Sequence, residues 1–318
     1  MQPTIWITWE RQPRNRAMAH GLGVPLFEIV SSCGRPFRQL ICAFKTIKLL
    51  FSCLPRVVVC QNPSIVLSVL ILALRPLLRT RVVIDAHFGG IDSGNGSAAP
   101  QRLLDWCNRA ADLVIVTNPQ HASHVDELGG KSFICPDPLP DLCRFSNLSP
   151  VCPKKVFLIC SFDPDEPFRE VFAAAEDLLV DGFRLFCSGN YRKAGISPDD
   201  YSHVVMLGFV PESEFYSSLF DSEIVIDLTD NDDCLVCGAY EAMEAEKPLV
   251  LSDKPALRSY FTSGVVFTEN RAPQIAAAIR RAHDFRTELA SDAARWARQA
   301  KQESSTRLSA LRAALDAL

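Results

Sequence analysis

The chain has 318 residues, about twice the usual domain length, so two domains are expected. Hydrophobic residues make up 48% and charged residues 22%. That balance excludes a disordered or fibrous chain and supports a large core without disulfides or metals. The net charge of −4 conceals an asymmetry: residues 1–90 carry 11 Lys/Arg against 3 Asp/Glu, whereas residues 151–318 carry 18 against 27. A basic first third predicts an anionic partner, and the acidic remainder argues that this partner is not nucleic acid.

In chain order, short apolar β-branched runs alternate with helix-length segments. The first half offers runs at 4–8, 56–60, 81–85, 113–117 and 132–135. The second half offers runs at 156–160, 184–188, 204–207, 223–227, 248–251 and 265–267. Runs without polar alternation suit strands buried on both faces. Strand–helix alternation predicts a parallel α/β architecture, with helical patterns at 166–180 and 273–282 and one or two helices from Ser291 onward. Prolines from Pro136 to Pro153 mark a linker, which gives an N-terminal lobe over 1–145 and a C-terminal lobe over 150–290. Paired lobes of this kind bind ligand between them, at the carboxyl ends of the strands.

Trp6, Trp9, Glu10, Arg11 and Arg14 interrupt any apolar run at the amino terminus, so no export signal is read and a cytoplasmic protein is expected. The loop at 9–16 places Arg11 and Arg14 where they can grip an anionic acceptor or a diphosphate; helix capping and surface charge are the competing roles. The stretch 35–51 is basic and strongly apolar. It suits an anionic membrane surface, with Arg38, Lys45 and Lys48 at the headgroups, or else a buried lobe helix. The charge surplus favours the membrane. Residues 65–78 are too short and too interrupted to span a bilayer, which takes about 20 apolar residues.

The twelve cysteines are scattered, largely through apolar runs, and are read as reduced structural thiols. Cys234 and Cys237 have no second pair at zinc spacing, so no metal site is assigned to them. No G-x-G-x-x-G follows the first strand and no Walker loop is present, which disfavours ordinary dinucleotide and P-loop enzymes. His121 and His124 are read as structural.

The informative segment is 227–253. A strand leads into the loop Thr229-Asp-Asn-Asp-Asp233, then through Cys234, Leu235, Val236, Cys237 and Gly238 into a helix bearing Glu241, and Lys247-Pro248 precedes the next strand. Amides from Cys234 to Ala239 at a helix amino terminus suit an anion, and a carboxylate just inside that helix suits a ribose diol. Asp233-x7-Glu241 followed by Ala-Met-Glu-Ala-Glu-Lys-Pro resembles the signature of the family 4 retaining glycosyltransferases of the GT-B fold. Asp233 stands where that family usually has Glu.

The resemblance implies two Rossmann-like lobes facing across a cleft, with residues 291–318 returning to the first. It implies transfer of a sugar, with retention, from a nucleoside diphosphate sugar to a hydroxyl of a lipid-linked or surface-polysaccharide acceptor. No resident cofactor or metal is implied, and Asp163-x-Asp165 is not read as a metal site. Asp233 would hold the donor sugar and Glu241 the ribose, while His87, after the strand at 81–85, would contact the transferred sugar beside a mobile loop at 91–99. The family's Arg and Lys that neutralise the diphosphate are missing from the loop at 161–169. Either Arg169 substitutes, or the better-placed Arg192 and Lys193 do, beside Gly189 and Asn190. The implied reaction is front-side attack, in which the leaving diphosphate helps deprotonate the acceptor. A nucleotide-sugar epimerase and a non-catalytic binding subunit are the alternatives.

Overall fold

The computed structural model describes residues 3–34, 37–62, 64–92, 98–145 and 150–318. The chain forms two compact units: Met1–Pro138 together with Gln302–Leu318, and Leu139–Lys301. The break at Pro138 falls inside the proline-rich segment.

In the first unit the elements run β1 (Thr4–Thr8), α1 (Pro13–Leu22), β2 (Leu26–Glu28), α2 (Phe37–Cys53), β3 (Val57–Asn62), α3 (Ile65–Leu78) and β4 (Arg81–Ala86). They continue with α4 (Phe88–Ile91), α5 (Ala98–Ala110), β5 (Leu113–Val116), α6 (Pro119–Glu127) and β6 (Ser132–Ile134). The strands form one sheet in the order β2-β1-β3-β4-β5-β6, every pairing parallel. The second unit runs β7 (Lys155–Leu158), α7 (Phe168–Leu178), β8 (Arg184–Ser188), β9 (Val204–Gly208), α8 (Glu212–Asp221) and β10 (Ile224–Asp227). After these come α9 (Cys237–Glu244), β11 (Leu249–Ser252), α10 (Pro255–Tyr260), β12 (Val265–Thr268) and α11 (Ala272–Asp284). Its sheet is also parallel throughout, in the order β12-β11-β10-β7-β8-β9. The final helix, α12 (Arg286–Ala317), supplies residues to both units.

The expected parallel α/β architecture is therefore present twice, and all eleven strands read from the sequence form. The strand that sequence did not reveal is β2, whose three half-buried residues at a sheet edge carry too little apolar pattern to register.

The strands are apolar along their length because alternate residues feed two cores. In the first sheet Ile5, Ile7, Val58, Cys60, Val82 and Ile84 face α2 and α3 through Leu50, Leu67 and Ile71. Their neighbours Trp6, Val57, Val59 and Val83 pack with Met18 and Leu22 of α1 and with Leu311 and Leu315 of α12. Both leucines are almost fully buried, each contributing about 1.5–3 kcal/mol. In the second sheet Val156, Leu158, Ile224 and Ile226 face Phe172 and Ile279. Phe157, Val225, Leu249 and Leu251 face Met243, Leu257 and Trp296. Among the described residues no helix is long and apolar enough to cross a membrane. None of the twelve cysteines is in a disulfide; six are buried, and Cys33, Cys143, Cys152 and Cys237 are exposed.

Strand order reverses between β1 and β3 in the first sheet and between β7 and β10 in the second. Ligands in open α/β sheets bind beyond the carboxyl ends of the strands at such reversals. These two places frame the candidate residues.

Candidate functional site

At the reversal in the second unit, β10 ends on Asp227, whose side chain is almost fully buried. The backbone N–H groups of Gly238 and Ala239, in the first turn of α9, donate to its carboxyl. The approach is close enough that a Cβ on Gly238 would lie 2.6 Å from Asp227 Oδ2 and 2.7 Å from Ile159. Burial, then the charges of Glu166 and Glu241, push the Asp227 carboxyl well above the usual carboxylate range, against the two amides. This corrects one expectation: two of the amides assigned to an anionic ligand are already committed to a side chain from the preceding strand.

Glu241 lies one turn further into α9, half-buried, and its Oε1 accepts from the Tyr216 hydroxyl on α8 at 3.3 Å. Burial pushes its carboxyl up to about 7, which the bond from Tyr216 opposes. Asp233 is exposed in the loop after β10, and Cys234 and Leu235 behind it are half-buried. Val236 caps α9, Cys237 begins it on the outside, and Gly238 is buried. Lys247 has a structural assignment: 8% exposed, it donates to the carbonyls of Phe220 at 2.6 Å and Ser222 at 2.9 Å, closing the end of α8.

The loop after β7 is filled by its own carboxylate. Glu166 accepts from the backbone N–H of Ser161 at 3.0 Å and of Asp163 at 2.8 Å, and from the Ser161 hydroxyl at 3.1 Å. Asp165 accepts from the Thr229 hydroxyl at 2.9 Å and from the Asn231 side-chain amide at 3.0 Å, tying this loop to the one after β10. The candidate cations divide. Lys193 is ion-paired with Asp163 of the same loop. Arg169, on α7, donates to the Tyr201 hydroxyl at 3.1 Å. Arg192 is exposed over the Tyr191 ring, 5.7 Å from its centroid. Gly189, which with Asn190 leads into this turn, has φ 99° and sits so close to the Cys160 carbonyl that a Cβ would lie 1.8 Å from its oxygen. Only glycine fits there.

In the first unit, Arg14 has a different job from the one expected. It is 6% exposed, and its guanidinium donates to Asp85 at 2.7 and 3.1 Å, to the Cys135 carbonyl at 3.1 Å, and to Asp137. Its donors are spent inside the fold. Asp85, the penultimate residue of β4, is fully buried. Burial would raise its carboxyl, but Arg14 outweighs it and, with His87, holds the group below the usual range. His87 follows β4 with Nε2 3.6 Å from Asp85 Oδ2. That nitrogen is buried and, among the described residues, has no hydrogen-bond partner. Burial and the Arg14 cation push the imidazole below its ordinary value, so it is neutral at pH 7. Arg11, by contrast, is exposed and lines an open concavity of 610 Å³ with Glu10, Val30, Ser31, Ser32 and Arg38. The expected mobile loop at 91–99 lies mostly outside the described residues, as do residues 35–36. His121 and His124 hold structural bonds, to Thr117 at 3.3 Å and Asp105 at 3.3 Å.

Glu241, Asp233, Gly189 and Arg192 thus all belong to loops or helix starts following strands of one sheet, and His87 and Arg11 to those of the other. Sequence reasoning missed Asp227, Glu166 and Asp85. The one available signal was an acidic residue closing or following an otherwise apolar strand.

No protein-family model matches the chain, and no curated protein matches it by sequence. Solved structures do. HepE of Anabaena in complex with UDP and glucose superposes with a TM-score of 0.73 at 13% identity, covering 99% of this chain and 100% of that one. A glycosyltransferase from Rickettsia africae gives 0.73 at 11% identity, over 99% and 98%. The UDP-GlcNAc 2-epimerase of Methanocaldococcus jannaschii gives 0.57 at 12% identity, over 87% and 92%. The chain has the α/β fold of GT-B glycosyltransferases, as the sequence led one to expect.

Proposed function

We propose that the protein is a retaining glycosyltransferase of the family 4 type. It would move a sugar from a nucleoside diphosphate sugar to a hydroxyl of a lipid-linked or surface-polysaccharide acceptor. The observation that carries this reading is Glu241, a carboxylate one turn inside α9 beside the strand-order reversal, held at its Oε1 by Tyr216. Ionised, it accepts from both hydroxyls of a ribose. HepE, of the same fold, has been solved with UDP and with UDP-glucose, which favours a uridine diphosphate sugar as donor.

In this reading the second unit binds the donor. Asp233 accepts from the sugar's hydroxyls, and exposed Arg192 neutralises the diphosphate, because Lys193 and Arg169 are already engaged. The first unit binds the acceptor. Neutral His87, whose buried Nε2 has no hydrogen-bond partner among the described residues, would contact the transferred sugar, and Arg11 takes an acceptor phosphate. The donor is a co-substrate; no resident metal or cofactor is assigned. We place the protein in the cytoplasm, peripheral to the inner face of the cell membrane.

The test is thermal stabilisation of purified protein by UDP-, GDP- and ADP-sugars, with Glu241→Ala alongside. A shift for UDP-sugars that the variant loses supports the donor site; no shift with any nucleotide overturns it. The likeness to a 2-epimerase favours a second reading, sugar epimerisation on the same scaffold. Product analysis separates the two, since only the transferase forms a glycoside.

A further inference from the structure

We infer that the outer face of α2 docks on an anionic phospholipid bilayer. The helix is anchored by its inner face: Cys42, Thr46 and Leu50 are fully buried, and the Thr46 hydroxyl accepts from the Trp9 indole at 3.0 Å. That attachment fixes which residues point outward. Phe37, Leu40, Phe44 and Phe51 are 67%, 65%, 70% and 46% exposed, far more than large apolar side chains need be on a folded surface. At ~100° per residue they fall within an arc of about 60°, a continuous apolar stripe.

The cations lie beside this stripe. Lys48 and Lys45 are exposed along one flank and α2 itself contains no acidic residue, whereas Arg38 beyond them donates to the Trp9 carbonyl at 2.9 Å and lies 3.9 Å from Glu10. An apolar stripe bordered by cations lets aromatic rings enter the acyl boundary while the ammonium groups of Lys45 and Lys48 meet phosphate. The same pattern disfavours a second copy as occupant, because a two-fold contact through this face would bring like charges together. The surplus of basic residues in the first 90 positions extends the attraction beyond the helix.

The inference names the surface at which the proposed lipid-linked acceptor is met, yet it stands on α2 whatever the reaction. It is tested by co-sedimentation of the full chain with vesicles rich in phosphatidylglycerol and with vesicles of phosphatidylcholine alone. Wild-type protein is expected to pellet with the anionic vesicles and to be released by salt. The triple substitution Phe37→Ser, Leu40→Ser, Phe44→Ser and the pair Lys45→Glu, Lys48→Glu should each weaken binding at least ~10-fold. Since these side chains are exposed, both variants should keep the wild-type unfolding midpoint and any nucleotide-induced shift, which reports the donor site separately. Wild-type protein remaining in the supernatant, or a triple variant that pellets unchanged, overturns the inference. So does a concentration-dependent dimer that the triple variant abolishes, which would make a second copy the occupant.

Discussion

The Tyr216 hydroxyl donates to Glu241 Oε1 across 3.3 Å, so α8 holds the carboxylate on α9 to which we assign the donor ribose. One hydrogen bond to a half-buried carboxyl is not enough to keep it ionised: burial prevails, and the proton is held up to about 7. Near neutral pH this group is shared between two states, and only the ionised one accepts from both hydroxyls of a diol.

A pH dependence follows with a definite sign. The folded carboxyl binds its proton more tightly than the unfolded one, whose ordinary value is 4.5. Between those values the native state holds a proton that the unfolded chain has released, so stability falls as pH rises from 4.5 to about 7. Glu241→Gln should raise the melting midpoint of the second unit at pH 8 by roughly 5 °C and flatten this slope. Asp227 adds a slope of the same sign, which in the variant loses the part due to the Glu241 charge, so the difference between the two proteins reports the coupled pair. UDP binding to wild-type protein should tighten from pH 6 to pH 8 and be weak at either pH in the variant.

Glu166 neutralises the amides of Ser161 and Asp163 with a charge that repels any phosphate brought to the same loop. Glu166→Gln keeps the shape and an acceptor oxygen while removing the charge. Binding of UDP or pyrophosphate, measured by calorimetry, should tighten several-fold, about 1 kcal/mol. Unchanged or weaker binding would mean that the phosphates do not approach this loop.

Breaking the Arg14–Asp85 pair should be costly, because the partner left behind is a buried guanidinium. Asp85→Ala is expected to destabilise the first unit by about 3 kcal/mol, near the low end for buried pairs, since Asp137 still holds one side of Arg14. Urea unfolding should show a lower midpoint with an unchanged slope. An effect confined to activity would mean that Asp85 serves the site and not the fold.

Gly189→Ala should be among the most disruptive single changes in the second unit. The new methyl has to move the Cys160 backbone and tolerate φ 99°. A loss of about 3 kcal/mol or more is expected, read as poor yield or a melting midpoint lowered by ~10 °C. Gly195→Ala, also at positive φ but with nothing within 4 Å, is the control that isolates the contact from the backbone strain.

The sheets were legible because most strands are continuous apolar runs, many of them β-branched, and the two-sided cores show why such runs are needed. Glu241 could be singled out as a candidate because its spacing from Asp233 and the following strand is local. What escaped reading depends on contacts between distant segments. Arg14 looks like a loop cation until its partner, 71 residues further on, comes beneath it. Glu166 looks like part of an acidic helix start, yet it turns back to fill the loop before it. Lys247 was legible as part of a motif but not for what it does, since the carbonyls it closes belong to the end of another helix.

The two-part composition of the first unit bears on how the protein comes into being. On the ribosome, its sheet and first helices emerge early, but Leu311 and Leu315 emerge only after the whole of the second unit. Until then Trp6, Val57, Val59 and Val83 lack part of their cover, an exposed apolar face on a nascent chain. The second unit is continuous in sequence and closes as it is made. The lobe that is translated first is therefore the last to be finished.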